Sequence, residues 1–407
     1  MKSMLANIPL EHKIVLCCSV KKSTESRLSE LALLVNKKVN WDMVFDFAKN
    51  QGVLFFLYKN LKTIHSVLKI QSSKLSPQSY IVLDNLLKKT KQSFLQNSIR
   101  NLVLSARLVS IIRLLNHSGI LAVPFKGPVQ AETIYGDIGF RYFSDLDIIV
   151  SPENAVKARD ILSENGFFLG TQIPEDQLAT YLKHENFFSL HDENKAVNID
   201  LHWELTGRYS LCPFYLKDIQ QRLETVRLDK GEVSSLNFED MLIYLCIHSS
   251  SHCWERLELI CAIRQIVNSG KIIDWNNLDK RAKNLQCKRM LYLGLALARD
   301  LLDAELPEGM EQHINRAWFV KYLEKQVIKK MFFNQKPFSE KLSWRFSSLH
   351  FFVRDTFLDA VKYSLRIFFQ PTVREWVNYP MPSYLLFLYY LLRPYRLIKE
   401  GFSKRNA

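Results

Sequence analysis

Between Leu28 and about Ser118 apolar residues recur at the spacing of a helix face, and Gly and Pro are almost absent. In "WDMVFDFAKNQGVLFFLYKNL", Val44, Phe45 and Ala48, then Leu54, Phe55, Leu57 and Tyr58, lie at i, i+3, i+4 positions on either side of Gln51-Gly52. That pattern predicts a helix hairpin. In "NLVLSARLVSIIRLLNHSGI" a second apolar face, Leu104, Leu108, Ile111, Ile112 and Leu115, stops at Gly119, as expected of a helix packed against a sheet.

From Ile120 the period shortens. "ILAVPF", "LDIIV", "ENFFSLH" and "AVNIDLHWEL" are short runs of β-branched and aromatic residues, expected as strands. Between the second and third, "SPENAVKARDILSENGFF" has Ser151 placed to cap a helix, Pro152 at its first position and Gly166 just past its end. After about Phe238 long helical periods return and continue to the C-terminus, with no repeat of fixed length. The expected fold class is α+β. A small mixed-sheet core over residues 96–235 is flanked by helical regions at 1–95 and 236–407.

The chain has 407 residues, 47% of them hydrophobic, enough to bury a sizeable core. No window approaches the roughly 20 apolar residues of a bilayer span, and the longest clean run is Tyr384 to Leu392. Pro9, Glu11, His12 and Lys13 break the first apolar stretch, so it does not read as a signal peptide, and a cytoplasmic protein is expected. The seven cysteines are odd in number, include the adjacent pair Cys17 and Cys18, and contain no C-x-x-C, so reduced thiols are expected. A formal charge of +14 favours polyanionic partners such as nucleotides, RNA or anionic lipid. Because the excess is spread along the chain, a solvated basic surface is the plain alternative.

The candidate chemistry lies in "PFKGPVQAETIYGDIGFRYFSDLDIIV", residues 124–150. Side chains alternate across a strand, so Asp145 and Asp147 share one face, about 7 Å apart, and repel unless a cation or solvent intervenes. Hard carboxylate oxygens of this kind suit Mg²⁺, which takes substrate phosphates among its other ligands. Asp200, between Ile199 and Leu201, is the expected third acid on a neighbouring strand, and three acids can serve two ions. His202 and Glu204 share its face, Glu204 being the reserve acid. Lys126, Gly127, a helix start at Pro128, Ser144 and Arg141 are the candidate phosphate-binding groups. The plain alternative is an acidic strand start solvated at a loop.

These residues resemble the nucleotidyltransferase superfamily, and more closely its bacterial branch known as the uncharacterised nucleotidyltransferase family. The resemblance is carried by Lys126-Gly127, Tyr135-Gly136, Arg141, Asp145-Leu146-Asp147 and Asp200-Leu201-His202-Trp203. It extends to the helical lead-in "NWDMVFDFAKNQGVLFFLY", to "HCWERLELI" and "IIDWNNL", and to the closing "QPTVREWVNYPMPSYLLFLYYLLRPYRL", roughly residues 40 to 400. Two departures stand out. Lys-Gly replaces the superfamily's usual Gly-Gly or Gly-Ser, which places more of the phosphate binding on Lys126, and Cys261 stands where relatives often carry an acid. The resemblance implies a minimal nucleotidyltransferase core and transfer of a nucleoside monophosphate from an NTP, such as ATP, to an acceptor with Mg²⁺. Asp145, Asp147 and Asp200 would hold the metal, and Lys126, Gly127, Arg141, Ser144 and His202 would bind the nucleotide. The acceptor stays open among a small metabolite, RNA and a protein; a regulatory module of the same fold that binds nucleotide without turnover is the alternative.

Two further constellations read more simply. His248 and His252 lie at i and i+4 near Cys246 and Cys253 but lack the intervening Glu of a metalloprotease motif, and a role for His248 or Trp254 in lining an acceptor pocket is the better expectation. The aromatic, then basic tail "YLLFLYYLLRPYRLIKEGFSKR" would suit an anionic membrane surface, although a core helix ended by Pro394 is the simpler expectation.

Overall fold

A computed structural model of the chain describes residues 2–70, 77–207, 210–333, 348–372, 375, 379 and 381–403. The N-terminal region is helical: α1 (Lys2–Ala6), α2 (Leu10–Cys18), α3 (Glu25–Val35), α4 (Trp41–Asn50), α5 (Leu54–Ile70) and α6 (Pro77–His117). Thr24 and Asn40 cap α3 and α4, their side chains accepting from the backbone N–H of Arg27 and Met43. The expected hairpin is α4–α5. Its turn passes through Gly52 at φ +70°, where an added Cβ would strike the Glu258 carboxylate.

Helix α6 runs 41 residues and belongs to two cores. Leu83, Leu86 and Leu87 pack with the N- and C-terminal helices, whereas Leu104, Leu108, Ile111, Ile112 and Leu115 pack on the sheet, as their spacing predicted. Gly119 follows the helix at φ +76°.

The sheet holds β1 (Val123–Pro124), β2 (Asp145–Ile149), β3 (Phe167–Leu169), β4 (Phe187–Asp192) and β5 (Asn198–His202), in the order β1-β2-β5-β4-β3. Only β2 and β5 pair in parallel; the others are antiparallel. After Gly127, α7 (Pro128–Gln130) continues into a π-helical turn over Ala131–Tyr135. A 3₁₀ turn at Pro152–Asn154 leads into α8 (Ala155–Glu164), and α9 (Glu175–His184) precedes β4. The helix at Ser151 thus forms, but Ser151 does not cap it: its hydroxyl accepts from Asn154 Nδ2 at 3.0 Å and from no backbone N–H.

Three strands were not expected. β3 is three residues long, and the hairpin β6 (Glu224–Leu228) and β7 (Gly231–Ser235) buries two side chains per strand, too few to stand out as a period of two. The hairpin is tied to β1 by Ser235 Oγ, which donates to the carbonyl of Pro124 at 2.7 Å.

The C-terminal region comprises α10 (Phe238–Ser251), α11 (Leu257–Val267), α12 (Trp275–Asn284), α13 (Lys288–Leu302), α14 (Glu308–Arg316), α15 (Trp318–Phe332), α16 (Ser348–Phe352), α17 (Phe357–Phe369) and α18 (Tyr389–Ser403). Pro394 lies inside α18 and does not end the helix, contrary to expectation. The buried face Tyr389, Arg393 and Leu397, at i, i+4, i+8, holds α18 through the proline, with Arg393 and Arg396 anchored on the buried Glu375. Within the closing motif, Val373, Arg374, Trp376, Val377, Asn378 and Pro380 lie outside the described residues. All seven cysteines are unbridged and buried. Among the described residues no helix is long and apolar enough to cross a membrane.

Candidate active site

The parallel pairing of β2 with β5 sets Asp145 beside Asn198, Asp147 beside Asp200 and Ile149 beside His202. Leu146, Ile148, Ile199 and Leu201 point to the opposite face, into the core shared with α6 and α8. Burying that face fixes the register, since a slip of one residue would turn the acids into the core. The polar face looks toward α10. On it, Asp147, Asp200 and His202 each offer a ligand atom, and the three atoms lie within 4.8 Å of one another. Asp145 stands one pleat along β2, partly exposed, with Ser144 Oγ 3.4 Å from its Oδ1.

The loop entering β2 is clamped to α6. Asn97 Nδ2 donates to the carbonyls of Gly139 and Arg141 at 3.0 and 3.1 Å, and Asn101 Nδ2 to those of Ile138 and Arg141 at 2.7 and 2.8 Å. Arg100 donates to the carbonyl of Phe143. One helix face thereby fixes where the aspartates begin.

Asp147 is 3% exposed, and its Oδ1 accepts from Lys126 Nζ at 2.7 Å and His202 Nε2 at 3.2 Å. Burial alone would raise its carboxyl, but the Lys126 charge and the bond from His202 overcome this and hold it well below the usual carboxylate range. Lys126 is likewise disfavoured by burial and rescued by Asp147 and the Tyr244 hydroxyl, which keep it protonated. Asp200 has no such ion pair. Burial, then the charges of Asp147 and Asp145, push it up to about 7, against the Lys126 charge and a bond from Ser189 opposite it on β4.

Burial lowers His202 below the ordinary imidazole value, so it is neutral. An ionised Asp147 only accepts, so Nε2 carries the proton and the buried Nδ1 is left without a hydrogen-bond partner. Phe125 and Phe187 flank the ring, each with its centroid 5.1 Å away. Glu204, the reserve acid, lies beyond the end of β5 and accepts from Thr206 Oγ1 at 3.2 Å; burial pushes it up to about 7.

Of the remaining expected residues, Gly127 adopts φ +57° and ψ −125°, and a Cβ there would stand 3.4 Å from the carbonyl oxygen of Asp145. Arg141 contributes its guanidinium to a narrow neighbouring cavity shared with Gly52, Gln130, Tyr135 and Glu258, where its Nη1 and Gln130 Nε2 are buried without partners. Cys261 is buried, its thiol donating to the carbonyl of Ser19 at 3.1 Å; Glu258, one helical turn earlier, is an acid that burial pushes up. His248 stacks on Tyr244 with centroids 5.5 Å apart and lies 4.6 Å from the His252 ring. Among the described residues neither histidine joins a group of potential metal ligands. Tyr244 was not anticipated: as one apolar-face residue of α10 it carries no signal until Lys126 is seen to reach it.

Paired acids on adjoining parallel strands, entered by a Lys-Gly turn and backed by helices, are the arrangement of a nucleotidyltransferase-type fold. The chain belongs to the uncharacterised nucleotidyltransferase family, whose model matches residues 37–303. Among solved structures it is similar to an antigenic nucleotidyltransferase-like protein from Paracoccidioides brasiliensis, at 13% identity and a TM-score of 0.30, over 52% of this chain and 96% of that one. No curated protein sequence matches it.

Proposed function

We propose that the protein is a Mg²⁺-dependent nucleotidyltransferase, which moves a nucleoside monophosphate from an NTP to an acceptor. The observation that carries this reading is the register of β2 and β5, which gathers Asp145, Asp147 and Asp200 on one polar face. Three carboxylates close together, one of them pushed up to about 7 by the others and by burial, are a donor set that a divalent cation would relieve. His202 donates through Nε2 to Asp147 and so positions that carboxylate, and the three carboxylates supply the hard oxygens that suit Mg²⁺. Bound there, one or two Mg²⁺ ions would neutralise triphosphate charge and polarise the acceptor oxygen.

Lys126 holds Asp147 ionised and oriented, and its ammonium is placed to follow the charge when phosphate enters. Gly127 supplies a positive-φ backbone beside Asp145 that a residue with a side chain would adopt only under strain. Asp200, the acid most easily protonated, is the group suited to take the acceptor proton. Ser144 lies at the exposed rim next to Asp145. Residues 96–235 would carry the chemistry, and the regions 1–95 and 236–407 would cover it, with His248 of the second on the acceptor side; Trp254, fully buried, does not reach it.

Calorimetric titration of ATP, GTP, CTP and UTP with Mg²⁺ tests the proposal. Binding of at least one nucleotide that requires Mg²⁺ and disappears in the Asp145→Asn, Asp147→Asn variant is expected. Absence of binding by all four overturns it. The Lys126–Asp147 pair, which satisfies Asp147 without a metal, favours a second reading as a nucleotide-binding module without turnover. Label transfer from α-labelled NTP onto cell-extract fractions separates the two: product lost in the double variant supports the enzyme, and binding without product supports the module.

A further inference from the structure

The C-terminal helices carry an apolar face that nothing among the described residues covers. Tyr384 and Phe387 in the 3₁₀ turn before α18, and Leu391, Tyr395 and Ile398 on α18 itself, are each between 50% and 76% exposed. Their spacing of three or four residues makes one continuous stripe. Helix α17 packs against α18 and exposes Phe357, Leu358 and Leu365, each more than half exposed. Scattered surface apolar residues need no explanation; eight large ones on two packed helices and the turn that leads into one of them do.

Among the described side chains of α17 and α18 the exposed charges are positive. From residue 357 to 403 the sequence holds six Lys and Arg against three acids. Two of the acids are turned inward: Asp359 is 6% exposed and accepts from Thr356 at the start of α17, and Glu375 is fully buried on Arg393 and Arg396. Lys362, Arg366 and Lys399 remain exposed.

We infer that this face docks the protein on the surface of an anionic lipid bilayer. Aromatic and aliphatic side chains enter the headgroup boundary while lysine and arginine meet the lipid phosphates, the arrangement of an interfacial amphipathic helix. The chain's overall charge of +14 acts in the same direction. A second copy of the chain is the poorer occupant, because a two-fold pairing of this face would set Lys362, Arg366 and Lys399 of one copy near those of the other.

Flotation of the full chain with phosphatidylcholine vesicles, and with vesicles of phosphatidylcholine and phosphatidylglycerol at 7:3, tests this. At low salt about tenfold more protein should float with the anionic vesicles, and the difference should shrink as salt is raised. Phe387→Ser with Leu391→Ser should lower binding at least about tenfold, since both side chains are solvent-exposed and their loss removes only contact with lipid. The circular dichroism and nucleotide binding of that variant should match wild type. Lys362→Ala with Lys399→Ala should lower binding to the anionic vesicles alone. No binding to either vesicle, or equal binding by the serine variant, overturns the inference. So does a change from dimer to monomer on sedimentation of the serine variant, which would assign the face to a second copy.

Discussion

Replacing Asp200 by Asn should stabilise the metal-free protein, the opposite of what removing a buried hydrogen-bonded group usually does. Burial and the charges of Asp147 and Asp145 raise the Asp200 carboxyl from 3.8 to about 7. A group whose folded value lies above its unfolded value keeps its proton longer in the native state. Its ionisation therefore opposes folding progressively as pH rises through that interval, and fully above it. At about 1.4 kcal/mol for each tenfold change in proton affinity the full penalty is roughly 4 kcal/mol, which partial solvent access reduces to roughly 2–4 kcal/mol. Asn keeps the shape and can still accept from Ser189. In urea unfolding at pH 8 with EDTA, Asp200→Asn should gain that amount over wild type; at pH 4 the gain should vanish. Saturating Mg²⁺ should then raise the stability of wild type far more than that of the variant. A neutral or destabilising Asp200→Asn in EDTA at pH 8 would refute the reasoning, because the carboxylate would not be under electrostatic strain.

Two other expectations follow from buried charge. Lys126→Met leaves the Asp147 carboxylate, 3% exposed, with only His202 as partner, and should cost roughly 3–5 kcal/mol in denaturant unfolding, whereas Lys126→Met combined with Asp147→Leu should cost much less. Glu324 on α15 is 1% exposed, and burial, followed by the nearby Asp300, pushes it up to about 8. Its ionisation opposes folding, so wild-type stability should fall as pH rises from about 4.5 toward 8; thermal melts of Glu324→Gln should show a shallower fall and exceed wild type at pH 9 by roughly 2–4 kcal/mol.

What was legible in the sequence is what a fixed period encodes. Alternation alone puts Asp145 and Asp147 on one face and Asp200 with His202 on another strand's face, and 3.6-residue spacing alone marks the part of α6 that meets the sheet. That β5 lies directly beside β2 is a long-range pairing, which no local spacing states. The partners of Lys126 were hidden for the same reason: a lysine next to a glycine has no mark of burial, and its ion pair with Asp147 and contact with Tyr244 exist only once β1, β2 and α10 converge. Arg141 was grouped with the phosphate ligands by its nearness in sequence to Asp145, yet its guanidinium lines a cavity with Gln130 and Glu258, residues supplied by α7 and α11. Pro394 misled because local propensity treats proline as a stop, while the tertiary anchoring of Arg393 and Arg396 on Glu375 carries the helix past it.

The strand order has a consequence for how the chain is made. Strand β5 is the last of the five to emerge from the ribosome, yet it occupies the middle of the sheet, between β2 and β4. At roughly 5–20 residues per second, the fifty or so residues separating β2 from β5 take about 3–10 s to synthesise, and throughout that time the edge of β2 destined for β5 has no partner. Leu146, Ile148 and the unsatisfied backbone beside them form a sticky nascent edge of the kind chaperones hold. The charges of Asp145 and Asp147, alternating with those apolar residues, are then the feature that discourages another growing chain from pairing there first.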